Sequence, residues 1–121
     1  MRVTNPIGKK GEDIAATFLR QKGYQILDRN FQGRQGEIDI IAKKDSVLVF
    51  VEVKTRRSAQ FGTPFEATSH TKLSSLLITA QLYVSQHNNL PEAQRVDAIG
   101  VELGEDGKVT NIEHIENISG F

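Results

Sequence analysis

The sequence predicts an α/β protein in which a mixed sheet of about five strands is flanked by helices, in the order αβββαββ. Three observations support this prediction. A helical pattern opens the chain, two runs of alternating apolar residues form a hairpin, and a long helical pattern separates that hairpin from two last strands. Because hairpin strands are antiparallel and a long helix permits a crossover, both strand directions are expected in the sheet.

The chain begins with a predicted helix and a predicted strand. Asn5 is placed as the N-cap and Pro6 at the first helical position, while Gly23 ends the helix. The apolar face of this helix carries Ala15, Ala16, Phe18 and Leu19. A strand is expected over residues 24–31, with Tyr24, Ile26 and Leu27 directed inward.

The later elements are separated by clear turn and breaker signals. In order, they are strands over residues 37–42 and 47–54, a loop over 55–64, a helix over 68–86, and strands over 95–103 and 109–115. The buried face of the long helix is predicted to carry Leu73, Leu76, Leu77, Ala80 and Val84.

The bulk composition narrows the class of protein. The chain has 121 residues, 38% of them hydrophobic and 25% charged, which predicts one globular domain over residues 1–121. The absence of cysteine excludes disulfides, zinc–thiolate sites and thiol catalysis, and makes the cytoplasm the expected location. No apolar run approaches the ~20 residues of a membrane span, and the N-terminus has no signal-peptide core, so no membrane partner is expected. The zero formal charge argues against tight non-specific nucleic-acid binding but permits a local basic patch.

The two strands of the central hairpin present different faces. One face is expected to be wholly apolar, with Ile38, Ile40, Ala42, Val47, Val49, Val51 and Val53. The other face is apolar near the turn, at Ile41, Leu48 and Phe50, and charged toward the open end, at Glu37, Asp39, Glu52 and Lys54. A turn centred on residues 45–46 places Asp39 opposite Glu52 and Glu37 opposite Lys54.

This charged end is a candidate site because carboxylates that enter a covered region need compensation. Lys54 compensates one of them, and a divalent cation compensates two, for which oxygen ligands favour Mg²⁺ or Mn²⁺. Such a cation can support phosphodiester hydrolysis, with the lysine orienting water or screening the developing charge. The alternative is a solvated hairpin end with ordinary salt bridges, and the pattern alone leaves both interpretations open.

Two blocks of the sequence carry a resemblance to a known family. Gly36-Glu37-Ile38-Asp39-Ile40-Ile41-Ala42, followed by Val49-Phe50-Val51-Glu52-Val53-Lys54-Thr55-Arg56, resembles the signature of the YraN-like family. That uncharacterised family is grouped with the PD-(D/E)XK nuclease superfamily, whose pattern matches Asp39, twelve intervening residues and Glu52-Val53-Lys54. The resemblance implies a restriction-endonuclease-like fold, with Asp39 and Glu52 as metal ligands and Lys54 as the catalytic lysine.

Further acidic residues are candidates for the same site. Glu12 lies on the helical face of Ala16 and Leu19, so it is expected to point toward the sheet, and Gly8 and Gly11 beside it permit close approach. Archaeal Holliday-junction resolvases, which are similar in fold, also place a glutamate of the first helix near the metal. The alternative for Glu12 is a helix-dipole role. Glu37 is interpreted as a further metal ligand or as a partner of Lys54 behind the ligands, and the second role is favoured.

Basic residues near the charged end are candidates for phosphate contact. They are Arg34, Arg56, Arg57 and Lys72, and the alternative for each is a solvated surface cation. Phe61 can stack on a base or serve as a small hydrophobic anchor. Asp97 is interpreted as a structural partner of Arg95 or Lys72. His70, His87 and His114 show no metal-ligand spacing and are given core or surface roles.

Three functions remain open at this point. The first is a Mg²⁺- or Mn²⁺-dependent endonuclease that hydrolyses phosphodiester bonds, with DNA favoured over RNA and branched or processing intermediates among its substrates. The second is a non-catalytic nucleic-acid-binding module. The third is a protein-interaction module, with homodimerisation included, that uses an apolar patch of Ile112, Ile115, Ile118 and Phe121.

Overall fold

A computed structural model describes residues 6–57 and 70–119. Its elements are α1 (Pro6–Gln21), β1 (Gln25–Gly33), β2 (Gly36–Lys44), β3 (Val47–Arg57), α2 (His70–Ser85), β4 (Ala93–Leu103) and β5 (Val109–Ile115). The predicted fold class and element order are confirmed. Across the described residues, neither helix is long and apolar enough to cross a membrane.

The five strands form one mixed sheet in the order β1-β2-β3-β4-β5. The neighbouring pairs are antiparallel except β3 and β4, which run parallel from Val47↔Ala93 to Arg57↔Leu103. The parallel pair requires a crossover, and α2 lies on that connection. The expected mixture of strand directions is therefore confirmed.

The two helices cover opposite faces of the sheet. Under α1, a core cluster contains Ala15, Ala16, Leu19, Ile40, Val49, Val51, Ile99 and Val101. Under α2, a second cluster contains Ile38, Ile41, Leu48, Phe50, Leu76, Ala80, Tyr83 and Val96. In β3, alternate residues belong to alternate clusters, so this central strand is covered on both sides, as its two-sided apolarity predicts.

The hairpin of β2 and β3 has the predicted register. A two-residue turn at Asp45 and Ser46 pairs Lys44 with Val47, and the ladder continues to Ile40↔Val51. The prediction that Ile38 shares a face with Ile40 is wrong, because Ile38 packs in the cluster under α2 and Ile40 in the cluster under α1. Residues two apart in a regular strand lie on the same face of the sheet. Because Ile38 and Ile40 do not, the alternation of side chains along β2 is interrupted at Asp39.

The predicted loop over residues 55–64 begins too early. β3 continues through Arg57, because its parallel pairing with β4 extends to Arg57↔Leu103 and satisfies the backbone there. The rest of that predicted loop, including Phe61, lies outside the described residues, as do Asn5 and Phe121.

Candidate metal centre

Helix α1 approaches β3 closely at Gly11, and this approach brings Glu12 to the sheet. A Cβ atom added at Gly11 would lie 1.8 Å from Oγ1 of Thr55, so any side chain there would collide with β3. The expectation that Gly11 permits a close approach is therefore confirmed, and the approaching residue is Thr55. Glu12, the next residue, has a side chain that is only 14% exposed.

Asp39 lies in β2 at the point where the alternation of side chains between the two faces of the sheet is interrupted. The strand pairs Arg29↔Ile40 and Phe31↔Ile38 place Asn30 level with Asp39 on the neighbouring strand. Here Asp39 turns its carboxylate toward β3 and accepts a hydrogen bond from the Val53 N–H at 2.7 Å. The side chain thus occupies the place where the ladder between β2 and β3 ends.

Three carboxylates meet at this position. Ligand atoms of Glu12, Glu37 and Asp39 all lie within 4.8 Å of one another, from α1 and two points on β2. The Asn30 side-chain amide donates to Oε1 of Glu12 at 2.7 Å and to Oε1 of Glu37 at 3.4 Å. The Gln32 amide donates to the other oxygen of Glu37. We call Glu12, Glu37 and Asp39 the acidic cluster.

The acidic cluster perturbs the ionisation of Asp39. Burial raises the pKa of Asp39 from 3.8 to about 7, the hydrogen bond from Val53 opposes this rise, and the charges of Glu12, Glu37 and Glu52 add to it. Burial and neighbouring negative charge therefore both disfavour the ionised form of Asp39. A pKa near neutrality in a group of convergent carboxylates is a recognised feature of functional sites.

Glu52 lies on β3, where its charge acts on Asp39, and it contacts two lysines. Oε1 of Glu52 lies 2.6 Å from Nζ of Lys72 on α2 and 3.6 Å from Nζ of Lys54 on β3. Burial lowers the pKa of Lys54, and Lys72 lowers it further against the opposing effect of Glu52. Although burial opposes the change, the contacts with Glu52 and Lys54 hold the pKa of Lys72 above its usual value.

A cavity opens beside this pair of lysines. Its volume is about 220 Å³, and it lies between the start of β2 at Gly36 and Glu37 and the first turns of α2 at Lys72 and Ser75. Glu52 forms part of its wall. Glu37, Glu52 and Lys72 therefore border a cavity on the α2 side of the sheet.

The predicted site residues divide into groups. The structure brings Glu12, Glu37 and Asp39 together, with Glu52, Lys54 and Lys72 adjacent. Arg56 is paired with Glu102 of β4 at 3.1 Å, which gives it a structural contact within the sheet. Arg57 and Arg34 are exposed, at the end of β3 and in the β1–β2 turn respectively. Their contact with phosphate stays a prediction.

Sequence reasoning missed the residues that hold the acidic cluster. Asn30 and Gln32 stand in β1 and carry no chemical signature of their own in the sequence. Arg29, also in β1, ties this strand to α1 through Asp13, with Nη2 2.7 Å from Oδ1. The feature that distinguishes Asn30 is its left-handed backbone, with φ of 53°. This conformation cannot be read from the sequence.

Asp97 has the structural role that the sequence predicts. It is fully buried on the α1 side of β4 and accepts hydrogen bonds from Arg95 at 2.9 Å and from the His114 ring at 2.8 Å. The backbone N–H of Asn117 donates to the same carboxylate at 2.9 Å. His114 is thus a partner in a core network, and His87 stacks on Tyr83, which confirms structural roles for both histidines.

The fold and the acidic cluster define an α/β protein with a candidate cation site at an opening in its sheet. Comparison with known proteins identifies its family. A family model described as "Uncharacterised protein family UPF0102" matches residues 11–101. A UPF0102 protein of Syntrophomonas wolfei is 46% identical over 111 residues, which cover 92% of this chain and 95% of the relative. A UPF0102 protein of Symbiobacterium thermophilum is 47% identical over 103 residues, covering 85% and 87%. The chain therefore belongs to family UPF0102, and the YraN-like membership predicted from its hairpin is confirmed.

Proposed function

We propose that this protein is a divalent-metal-dependent nuclease of the PD-(D/E)XK type that hydrolyses phosphodiester bonds in DNA. The observation that carries the proposal is the acidic cluster, where three carboxylates from two elements lie within 4.8 Å beside a buried glutamate–lysine group. We infer a cytoplasmic protein from the lack of cysteine in the sequence.

The donor set fits a hard cation. Mg²⁺ takes oxygen ligands at about 2.0–2.1 Å, so two ligands of one ion lie at most about 4 Å apart. The spacing within 4.8 Å needs only small side-chain rotations to reach that geometry. Asp39 and Glu12 are the residues that would hold the ion. Glu52 on β3 is the third candidate ligand, and Glu37 lies beside the first two.

When bound, a divalent cation supplies charge neutralisation to a phosphodiester and increases the acidity of a water molecule. The protein's own groups complete the chemistry. Lys54 is half-buried with a lowered pKa, and its Nζ can hold a water or screen the charge that develops on the phosphate. Lys72 is more exposed, and it can exchange its contact with Glu52 for one with a substrate phosphate.

A second function is favoured by one observation. Lys54 and Lys72 both compensate Glu52 inside the protein, so this carboxylate does not depend on a cation. A non-catalytic nucleic-acid-binding module is consistent with that arrangement. It predicts salt-dependent retention on DNA without any cleavage.

The roles are separated by measuring metal binding and cleavage in the same variants. Labelled single-stranded, duplex, flapped and four-way-junction DNA, together with RNA, are incubated with Mn²⁺ or Mg²⁺. We expect wild type to cleave at least one DNA, Asp39→Ala to lose both Mn²⁺ binding and cleavage, and Lys54→Ala to keep Mn²⁺ binding but lose cleavage. Lys108→Ala, which removes an exposed lysine from the β4–β5 turn, is the matched control and is expected to behave as wild type. DNA retention without cleavage by wild type would favour the second function.

A further inference from the structure

Asn30 occupies an unusual backbone position at the middle of the site. Its φ of 53° lies in the left-handed region, within β1 and level with Asp39 across the pair of strands. Asn is one of the few residues other than Gly that adopts this conformation at modest cost. A single left-handed residue inside a strand changes the direction in which the following side chains point.

The change in direction affects both strands of the pair. Arg29 reaches Asp13 and Glu12 on α1, whereas Phe31, two residues on, packs in the cluster under α2. Their partners Ile40 and Ile38 divide between the two clusters in the same way. The alternation of side chains is thus interrupted at the same level in both strands, at Asn30 in β1 and at Asp39 in β2. Asp39 approaches Glu12 at this level.

The Asn30 side chain bridges Glu12 and Glu37 at this level. Its amide nitrogen lies 2.7 Å from Oε1 of Glu12 and 3.4 Å from Oε1 of Glu37, so one NH₂ group contacts carboxylates from two elements. The bridge holds two like charges together without neutralising either, because an amide is a dipole and carries no net charge.

We propose that Asn30 is the positioning residue of the metal centre, and that it holds Glu12 and Glu37 close to Asp39 in the arrangement that a divalent cation binds. The inference rests on the proposed function, since it assigns a role within that centre. Residues that hydrogen-bond to metal ligands orient them, and their removal typically weakens metal affinity by about 10–100-fold.

The test separates the amide from the backbone conformation. Asn30→Gly keeps access to positive φ but removes the amide, while Asn30→Ala removes the amide and also disfavours that φ. We expect both variants to bind Mn²⁺ about 10–100-fold more weakly than wild type in an electron paramagnetic resonance titration. In EDTA, we expect only Asn30→Ala to show a clearly lower melting temperature. Asn89→Gly is the matched control, because Asn89 is exposed and has φ of 61° in the loop after α2.

The outcomes are distinguishable. Wild-type Mn²⁺ affinity in Asn30→Gly, with loss only in Asn30→Ala, would show that the residue serves the backbone alone and would overturn the inference. Asp39→Ala is titrated alongside. If Asp39→Ala abolishes binding while Asn30→Gly has no effect, only the role of Asn30 fails; if Asp39→Ala binds Mn²⁺ as wild type does, the proposed metal centre itself fails.

Discussion

Two aspartates of this protein, the buried Asp97 and the half-buried Asp39, have opposite environments. Asp97 accepts hydrogen bonds from Arg95, His114 and the backbone of Asn117, and these contacts outweigh burial and lower its pKa. Asp39 accepts a hydrogen bond from the Val53 N–H, but the loss of solvent around it, together with the charges of neighbouring carboxylates, raises its pKa to about 7. The first aspartate is compensated by the fold itself, and the second is left in need of a cation or a proton.

The first prediction concerns Asp39 in the absence of metal. Because its folded-state pKa of about 7 lies above 3.8, the protonated carboxyl favours folding, and this contribution is lost as the pH rises from about 4 to about 7. In EDTA at pH 8, Asp39→Asn should therefore be more stable than wild type, on the order of 2 kcal/mol, with no such gain at pH 4.

Urea denaturation at both pH values measures this difference. Asp45→Asn is the control, because Asp45 is exposed in the β2–β3 turn and Asn tolerates its φ of 54°. Equal stability of Asp39→Asn and wild type at pH 8 would contradict the raised pKa.

The second prediction concerns Asp97. Its lowered pKa means that the ionised carboxylate stabilises the fold at pH above about 4, and that this contribution is lost as the pH falls through its folded-state value. Asp97→Asn should cost about 3 kcal/mol at pH 7, since it leaves Arg95 and His114 without their charged partner.

Guanidinium denaturation of Asp97→Asn and wild type across pH 7 to 2 gives the test. The difference between the two proteins should narrow below about pH 4. A difference that stays constant over the whole range would show that the charge of Asp97 is not the stabilising feature.

At the scale of elements, the contact between α1 and β3 sets the position of Glu12. Gly11 has room for no side chain because Thr55 lies against it. Overpacking of this kind typically costs on the order of 2 kcal/mol. We predict that Gly11→Ala destabilises the protein by about that amount and weakens Mn²⁺ binding, since α1 must move away from β3.

A double-mutant cycle tests this contact. Thr55→Gly removes the atoms that an alanine at position 11 would meet, so the double variant should regain part of both the stability and the Mn²⁺ affinity. Thr55→Gly alone is the reference for the loss of the threonine itself. Strict additivity of the two single effects would place the cost of Gly11→Ala elsewhere than in this contact.

The elements were predictable from the sequence because their signals are local. Breakers bound each strand and helix, and apolar alternation defines the hairpin and its two-residue turn, so the register of β2 and β3 also follows. The face of Ile38 was not predictable, because period-two alternation assumes a regular backbone and β1 and β2 change phase at Asn30 and Asp39. The end of β3 was misplaced because pairing with β4 overrides its polar composition.

At the scale of the whole molecule, the candidate site is where three parts of the fold converge. Glu12 comes from α1 on one face of the sheet, Lys72 from α2 on the other, and Asp39 from the gap between β2 and β3. Residue type and spacing marked the candidate site in the sequence: Asp39, Glu52, Lys54 and Glu12. The sequence left the roles of Glu37 and Lys72 open. The position of Glu37 beside Asp39 and Glu12, and the contact of Lys72 with Glu52, both depend on long-range packing.

The apolar patch predicted near the C-terminus is divided by the fold. Ile115 is exposed on β5, whereas Ile118 packs against the cluster under α2. The backbone N–H of Ile118 also donates a hydrogen bond to the Val96 carbonyl. These described members therefore do not form one continuous exposed surface. The interaction-module interpretation loses most of its sequence basis, and self-association stays an open prediction for light scattering.

The central claim is that the acidic cluster is a divalent-cation site, and a Mn²⁺ titration of wild type and Asp39→Ala at pH 8 tests it most directly. Glu105→Gln, which neutralises an exposed glutamate in the β4–β5 turn, serves as the control for general loss of negative charge. We predict saturable Mn²⁺ binding in wild type and Glu105→Gln and its loss in Asp39→Ala. Equal binding by all three proteins, or no binding by wild type at millimolar Mn²⁺, would contradict the claim.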